Sequence, residues 1–483
     1  MSSNDSVDEA TRTLVGARPI KKVERETEDL EDVPRKTEID SAPTDGTHRP
    51  TEPAAQGRAV QTHSGEPFSP EPPRSIDATG LPAAFVEELC LKHLFQATEL
   101  RGGEISRRTC LPPVVIEEVT ERLRVARLVE IKGARGVGLG RTQTVFSLTK
   151  AGQKHCELAL EHDRYVGPAP VSLEAYADAV TAQTIRGNRV SREALRPHFA
   201  DLVLDDGVFE ALGPALNGGR SLFVHGPSGN GKTAVCERLV GCFGGHVLVP
   251  RAVMAGDSVI RVFDESIHRE VPLPDEGPLY DERWVRCRRP LVVTGGDLVL
   301  EDLDLRYSED VRYYEAPVQV KANGGVLLID DFGRQKVSPG ALLNRWIVPL
   351  ENEYDFLVTH TGQKLRVPFD VFVIFSTNLD PAMLVDAAFL RRVRTKVEMS
   401  RPDTRRFREI FAAECQRQDV PWDGEAVDDL VKRHYLDAKR PFNACEPRDL
   451  LLQVRGLCAY HGVSPRLTRD TLDRAAESYF VRF

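Results

Sequence analysis

The sequence predicts an α/β protein: a parallel sheet flanked by helices, a helical C-terminal region behind it, and in front of it a small α+β domain and a disordered tail. Three stretches carry this reading. Leu222-Phe223-Val224 leads into Gly226-Pro227-Ser228-Gly229-Asn230-Gly231-Lys232-Thr233, a G-x-x-x-x-G-K-T pattern between a strand signal and a helix. Val326-Leu327-Leu328-Ile329 reads as a buried strand and ends in Asp330 and Asp331. A further apolar run, VFVIF, ends in Ser376-Thr377-Asn378.

The glycine pattern suits phosphate. Glycines let the backbone wrap an anion so that successive N–H groups point inward. The helix starting near Lys232 adds its positive dipole end. Lys232 is expected to reach the outer phosphates of a nucleotide, and the Thr233 hydroxyl to hold Mg²⁺. The expected backbone contacts run through Ala234. A plain glycine-rich turn before a helix is the alternative, and it leaves the full pattern unexplained.

In a parallel sheet, ligands lie at the carboxyl ends of the strands. Asp330 is therefore expected to hold Mg²⁺, and Asp331 to polarise an attacking water as general base. Two carboxylates at a strand end could instead cap the next helix. Asn378, at another strand end, could hydrogen-bond the attacking water or the γ-phosphate.

The chain has 483 residues, enough for two to four domains, and a formal net charge of −9. That charge argues against a non-specific nucleic-acid coat. No apolar run reaches the roughly 18 residues of a membrane span. The N-terminus lacks the basic and apolar regions of a secretory signal. Nine cysteines occur without a C-x-x-C pair or zinc spacing, which suits reduced thiols in a cytoplasmic protein.

In chain order, residues 1–78 are polar and rich in Pro, Thr, Glu, Asp and Ser, and read as a disordered tail. Residues 79–164 read as three helices, then two strands around the tip ARGVGLGR, then a closing helix, which resembles a winged helix. Lys132, Arg135 and Arg141 could meet DNA phosphates there, whereas Glu117, Glu118 and Glu121 on the presumed recognition helix oppose a polyanion. Duplex DNA and a protein surface both stand as candidate partners of this module. Residues 165–200 read as a connecting segment, 201–400 as the nucleotide-binding core and 401–483 as a helical domain. The stretch between Lys232 and Asp330 leaves room for inserted β hairpins. Arg283, Arg286, Arg288 and Arg289 surround Trp284 and are expected to line an intersubunit surface or a pore, with a solvated loop as the alternative.

From about residue 200 onward the order of motifs resembles the AAA+ ATPases. GPSGNGKT looks like Walker A, and VLLIDD like Walker B with Asp331 where the family more often has Glu. STN looks like sensor 1 with Asn378 in the sensing position. AFLRRV resembles the segment supplying the arginine finger, where Arg392 matches best and Arg391 is the alternative. EPRDL resembles sensor 2 at the start of a lid helix, with Arg448 over the γ-phosphate. The hairpin TGQKLRVPFD before sensor 1 is similar to MoxR-like and related pre-sensor-1 hairpin groups. The GAFTGA loop of enhancer-dependent transcription activators is absent from the sequence, as is the N-K-x-D stretch of GTPases.

The resemblance implies ATP and Mg²⁺ as cofactors, a homo-oligomer in the form of a hexameric ring, and ATP-driven remodelling of a protein client. The alternative is a DNA-binding regulator whose ATPase switches its assembly.

Overall fold

The computed structural model describes residues 68–134, 143–187, 189–218, 220–272, 280–384 and 387–480. Most of the expected tail, residues 1–67, and the tip arginines Arg135 and Arg141 lie outside the described residues.

The first group of elements is α1 (Ala83–Ala97), β1 (Glu99–Arg101), α2 (Gly102–Thr109), α3 (Pro113–Val125), β2 (Val129–Ala134), β3 (Thr144–Leu148) and α4 (Lys150–His162). Local chemistry sets the boundaries. Proline at the first position of α3 is compatible with helical φ and with the missing N–H. The Thr149 hydroxyl caps α4 by accepting from the Gly152 N–H at 3.0 Å. The three strands pair antiparallel in the order β1-β3-β2. Sequence reading found the β2–β3 pair but not β1, whose three residues alternate exposed, buried, exposed and contribute only Leu100 to the core.

Residues 68–78 are a correction to the expected tail. Ile76 is 1% exposed, the Asp281 N–H donates to Pro70 O at 2.9 Å, and Phe68 meets Trp284 edge-on at 5.7 Å. A Pro-rich stretch has little backbone freedom to lose, so two apolar anchors suffice to hold it.

The chain continues through β4 (Val171–Ser172), α5 (Leu173–Ala182), α6 (Arg192–Leu195), α7 (Asp206–Gly218), β5 (Ser221–His225) and α8 (Lys232–Cys242). Next come β6 (His246–Pro250), β7 (Ala252–Ala255), β8 (Ser258–Arg261), β9 (Trp284–Arg288), β10 (Leu291–Thr294), β11 (Arg306–Ser308), β12 (Tyr313–Glu315), α9 (Val318–Lys321) and β13 (Gly325–Ile329). Then follow α10 (Pro339–Asn352), β14 (Tyr354–Val358), β15 (Lys364–Pro368), β16 (Val371–Thr377), α11 (Pro381–Leu384), α12 (Ala387–Arg392) and β17 (Thr395–Glu398).

Five of these strands form an all-parallel sheet in the order β10-β13-β16-β5-β17. Its two faces bury separate clusters. One face packs Leu222, Val224, Leu328 and Ile374 under α7 and α8. The other packs Phe223, Leu327, Ile329 and Phe375 against Trp346 of α10. Continuous apolar strands are what a sheet covered on both sides requires. At the scale of large core truncations, Trp346→Ala is expected to cost about 3–5 kcal/mol, seen as a fall in denaturation midpoint.

A mixed second sheet, β11-β12-β8-β7-β4, absorbs part of the connecting segment through β4. It shares Ala252, Met254 and Val259 with the core of the first helices. The hairpin β14–β15 turns where expected, with the Thr359 N–H donating to Gln363 O at 2.9 Å. The C-terminal region, α13 (Thr404–Arg417), α14 (Gly424–Leu430), α15 (Glu446–Tyr460) and α16 (Arg469–Tyr479), has its own core around Phe407, Phe411 and Tyr435. Among the described residues no helix is long and apolar enough to cross a membrane. All nine cysteines are free thiols, eight of them buried and Cys445 half-buried.

The arginines around Trp284 do not form one basic surface. Arg283 is 6% exposed and grips Asp281, and it also donates to Thr79 O at 2.7 Å and Pro170 O at 3.0 Å. Arg289 is turned inward, donating to Gly244 O at 2.8 Å and Gly324 O at 2.7 Å. Five donors in a planar fork make arginine suited to tying backbone segments together, and four arginines within seven residues look alike in sequence whichever way they point.

Candidate nucleotide site

The site stands at the carboxyl ends of β5, β13 and β16. β16 lies between the other two, so the ends carrying Gly226, Asp330 and Asn378 are neighbours in one sheet. Gly226 has φ +139° and a Cβ there would lie 2.3 Å from Met399 O, so no other residue fits between β5 and the chain leaving β17. Pro227 and Ser228 carry the loop forward, and their carbonyls accept from Asn230 Nδ2 at 3.2 and 3.4 Å. Lys232 is 8% exposed and its ammonium donates to Gly226 O at 2.9 Å and Pro227 O at 3.0 Å. Burial pushes its pKa down, opposed by the carboxylates of Asp330 and Asp331. Ala234 is inside α8, its carbonyl accepting from Arg238 at 2.6 Å.

The Thr233 hydroxyl donates to Asp330 Oδ2 at 2.7 Å. The Asp330 N–H is tied to Thr294 O of β10 at 2.9 Å, and its other carboxylate oxygen accepts the Asp331 N–H at 3.0 Å. Asp331 is exposed at the rim, with φ +48°. Asn378 Oδ1 and Ser376 Oγ are buried without a protein hydrogen-bond partner. A buried amide oxygen with no partner costs free energy unless something else meets it.

The C-terminal region reaches the same loop. The Cys445 N–H donates to Gly229 O at 2.8 Å and the Ala444 N–H to Asn230 Oδ1 at 3.0 Å. Arg448 lies one turn further along α15 and is paired with Asp449 at 3.0 Å, its side chain 59% exposed. Sequence reading missed the role of Asn230. A middle residue of a glycine loop gives no signal that its side chain will hold a segment more than two hundred residues away.

Arg391 and Arg392 stand apart from these groups. Arg392 Nε donates to Glu351 Oε1 at 2.6 Å, and Arg220, immediately before β5, donates to Glu351 O at 2.9 Å. Glu351 therefore marks the amino end of β5, opposite the end that carries the phosphate loop. Arg391 is exposed on the same short helix.

Strand order, glycine loop and paired carboxylates together define an α/β P-loop fold with a helical C-terminal region. A family model described as "Domain of unknown function (DUF8689)" matches residues 403–478. Among solved structures, NtrX from Brucella abortus in complex with ADP is 15% identical with TM-score 0.36, covering 60% of this chain and 59% of that one. The chain thus spans less than two thirds of NtrX. A RuvB variant from Thermotoga maritima is 15% identical with TM-score 0.35, covering 59% of this chain and 72% of that one. A complex of magnesium chelatase subunits BchI and BchD is 17% identical with TM-score 0.29, covering 55% and 88%. Among curated proteins the sequence has no match. Likeness at this level leaves the functional reading to the geometry of the site.

Proposed function

We propose that this chain is a magnesium-dependent ATPase of the AAA+ class, acting in the cytoplasm as a ring-forming motor that remodels a protein partner. The observation that carries the reading is the Thr233–Asp330 hydrogen bond at 2.7 Å, which joins the hydroxyl of the glycine loop after β5 to the first carboxylate after β13, across the end of β16. Mg²⁺ is commonly held by one or two protein oxygens and substrate phosphates, and these two hard oxygens fit it. When bound, Mg²⁺ would neutralise charge on the phosphates.

The chain's own groups supply the rest. Backbone N–H groups of the loop, from Gly226 to Ala234 apart from Pro227, would meet the phosphates, with Lys232 as the fixed cation. Asp331 takes a proton from the attacking water, and Asn378, whose buried oxygen has no protein partner, orients that water. Arg448 approaches from the helical region. Arg392, at the far end of β5 from its own loop, serves the site of a neighbouring subunit, with Arg391 as the alternate finger. A hexameric ring is what the resemblance to AAA+ ATPases implies, and the β14–β15 hairpin before β16 favours the MoxR-like or a related group.

Mixing subunits tests the shared site. Arg392→Ala and Asp330→Ala proteins should each be inactive alone and recover part of the hydrolysis rate when combined. No recovery at any ratio counts against a finger acting in trans.

The DNA-binding reading draws support from the helix–strand–helix–helix–hairpin order of residues 83–148. It is weakened by pairing of the basic groups on the presumed recognition helix: Arg122 binds Glu87 at 2.5 Å and Arg124 binds Glu121 at 2.6 Å. Lys132 is likewise paired with Glu130 at 2.7 Å. If duplex DNA binds at all, its affinity is expected to fall steeply between low and physiological salt. A salt-independent affinity would rule out phosphate contacts.

A further inference from the structure

The turn after β13 holds Asp331 in a left-handed conformation. A φ of +48° lies in the left-handed region, where a non-glycine residue is uncommon and Asp and Asn are the best tolerated. Glutamate lacks that enrichment, although Glu353 stands at φ +65° as the left-handed cap of α10. The turn is fixed from three sides. Gln335 Nε2 donates to Asp330 O at 2.8 Å, and Gln335 Oε1 accepts the Gly333 N–H at 2.8 Å, so one amide side chain spans Asp331 on both sides. The Phe332 N–H donates to Ser376 O at 2.7 Å, and Phe332 O accepts from the Thr377 hydroxyl at 2.7 Å. The Phe332 ring is fully buried, edge-on to Phe223 at 5.8 Å and to Phe375 at 5.1 Å. Gly333 has φ +99°, and a Cβ there would lie 2.6 Å from the end of the Leu384 side chain. The backbone is thus anchored before and after Asp331 while the carboxylate itself stays exposed.

We propose that Gln335 is a positioning residue for the hydrolytic step: its amide holds the left-handed turn that presents the short Asp331 carboxylate where a longer one would otherwise serve. It acts through Asp331 and does not touch the nucleotide. This rests on the ATPase reading above. A general base displaced by about 1 Å loses on the order of 10²-fold in rate.

The test is a cycle of variants in the full-length chain with Mg²⁺ and ATP. Gln335→Ala is expected to lower kcat roughly 10–100-fold while the Kd for ATP and the melting temperature stay at wild-type values. Gln335→Glu keeps an acceptor for the Gly333 N–H but turns an oxygen toward Asp330 O, and should fall as far. In an Asp331→Asn background, Gln335→Ala should change the residual turnover less than about twofold, because the group it positions is no longer a base. Asp331→Glu should lower kcat, since from the same fixed backbone the longer side chain carries its carboxylate to a different point.

Three outcomes overturn the proposal: wild-type kcat in Gln335→Ala, the same fractional loss in both backgrounds, or a loss that follows Kd or melting temperature. A wild-type protein that hydrolyses no ATP overturns the ATPase reading together with this one. A wild type that hydrolyses beside an unimpaired Gln335→Ala overturns the positioning role alone.

Discussion

Replacing Lys232 by alanine is expected to remove nucleotide binding while leaving the fold intact. Its ammonium is the only buried cation in the glycine loop, and burial already disfavours its charge. Two phosphate-directed, charge-assisted hydrogen bonds at about 1.5–3 kcal/mol each correspond to an affinity loss of roughly 10²–10⁴-fold. The native bonds that disappear go to Gly226 O and Pro227 O, both in a loop whose path is set by glycine geometry and by the Met399 N–H donating to His225 O at 2.7 Å. The variant should therefore melt within a few degrees of wild type in the absence of nucleotide, and lose the stabilisation that ATP confers on wild type. Titration calorimetry and thermal shift with and without ATP measure both halves. Undiminished ATP affinity in Lys232→Ala would place the nucleotide elsewhere.

Arg283→Ala is expected to produce a loss of stability as large as that of a core truncation. Its guanidinium grips Asp281 at 2.7 Å and donates to the carbonyls of Thr79 and Pro170. Asp281 is 2% exposed, so truncating Arg283 leaves a buried carboxylate without its counter-charge and two carbonyls without donors. Breaking one side of a buried pair costs about 3–5 kcal/mol, or roughly 6–20 °C in Tm for a unit of 150–250 residues. Removing both partners, Asp281→Ala with Arg283→Ala, should cost less than Arg283→Ala alone, because no charge is left behind. The first helices should become the earliest protease-sensitive region, since Thr79 and Pro170 bracket them. A loss below about 1 kcal/mol would show that water replaces the clamp at little cost.

How much of this was readable in the sequence varies by element. The glycine loop was legible because backbone geometry dictates residue type: at Gly226 the approach of Met399 O excludes any side chain. β13 and β16 were legible because strands buried on both faces must be apolar throughout. β17 was not, because an edge strand needs only alternate burial. Thr395–Glu398 buries Val397 alone and so gives no apolar run. β6 and β10 are equally apolar, so composition could not tell that β10 joins the parallel sheet while β6 pairs antiparallel with β9.

Within the site, the residue types and strand-end positions of Lys232, Thr233, Asp330 and Asn378 singled them out in the sequence. Gln335 did not, since a lone glutamine in a polar turn has no periodicity and no motif. The same limit applied to Arg283, whose partners at Thr79 and Pro170 come together only through the tertiary fold.

In the function proposed above, the phosphate loop and the paired aspartates form one hydrolytic site. Single-turnover ATP hydrolysis by wild type and Asp331→Asn, measured beside equilibrium ATP binding, tests it most directly. The expected result is that both proteins bind ATP with similar Kd in the presence of Mg²⁺, that wild type converts it to ADP, and that Asp331→Asn holds most of it unhydrolysed over the same time, with only a slow residual turnover. Wild-type turnover in Asp331→Asn, or an absence of ATP binding by wild type, would contradict this assignment.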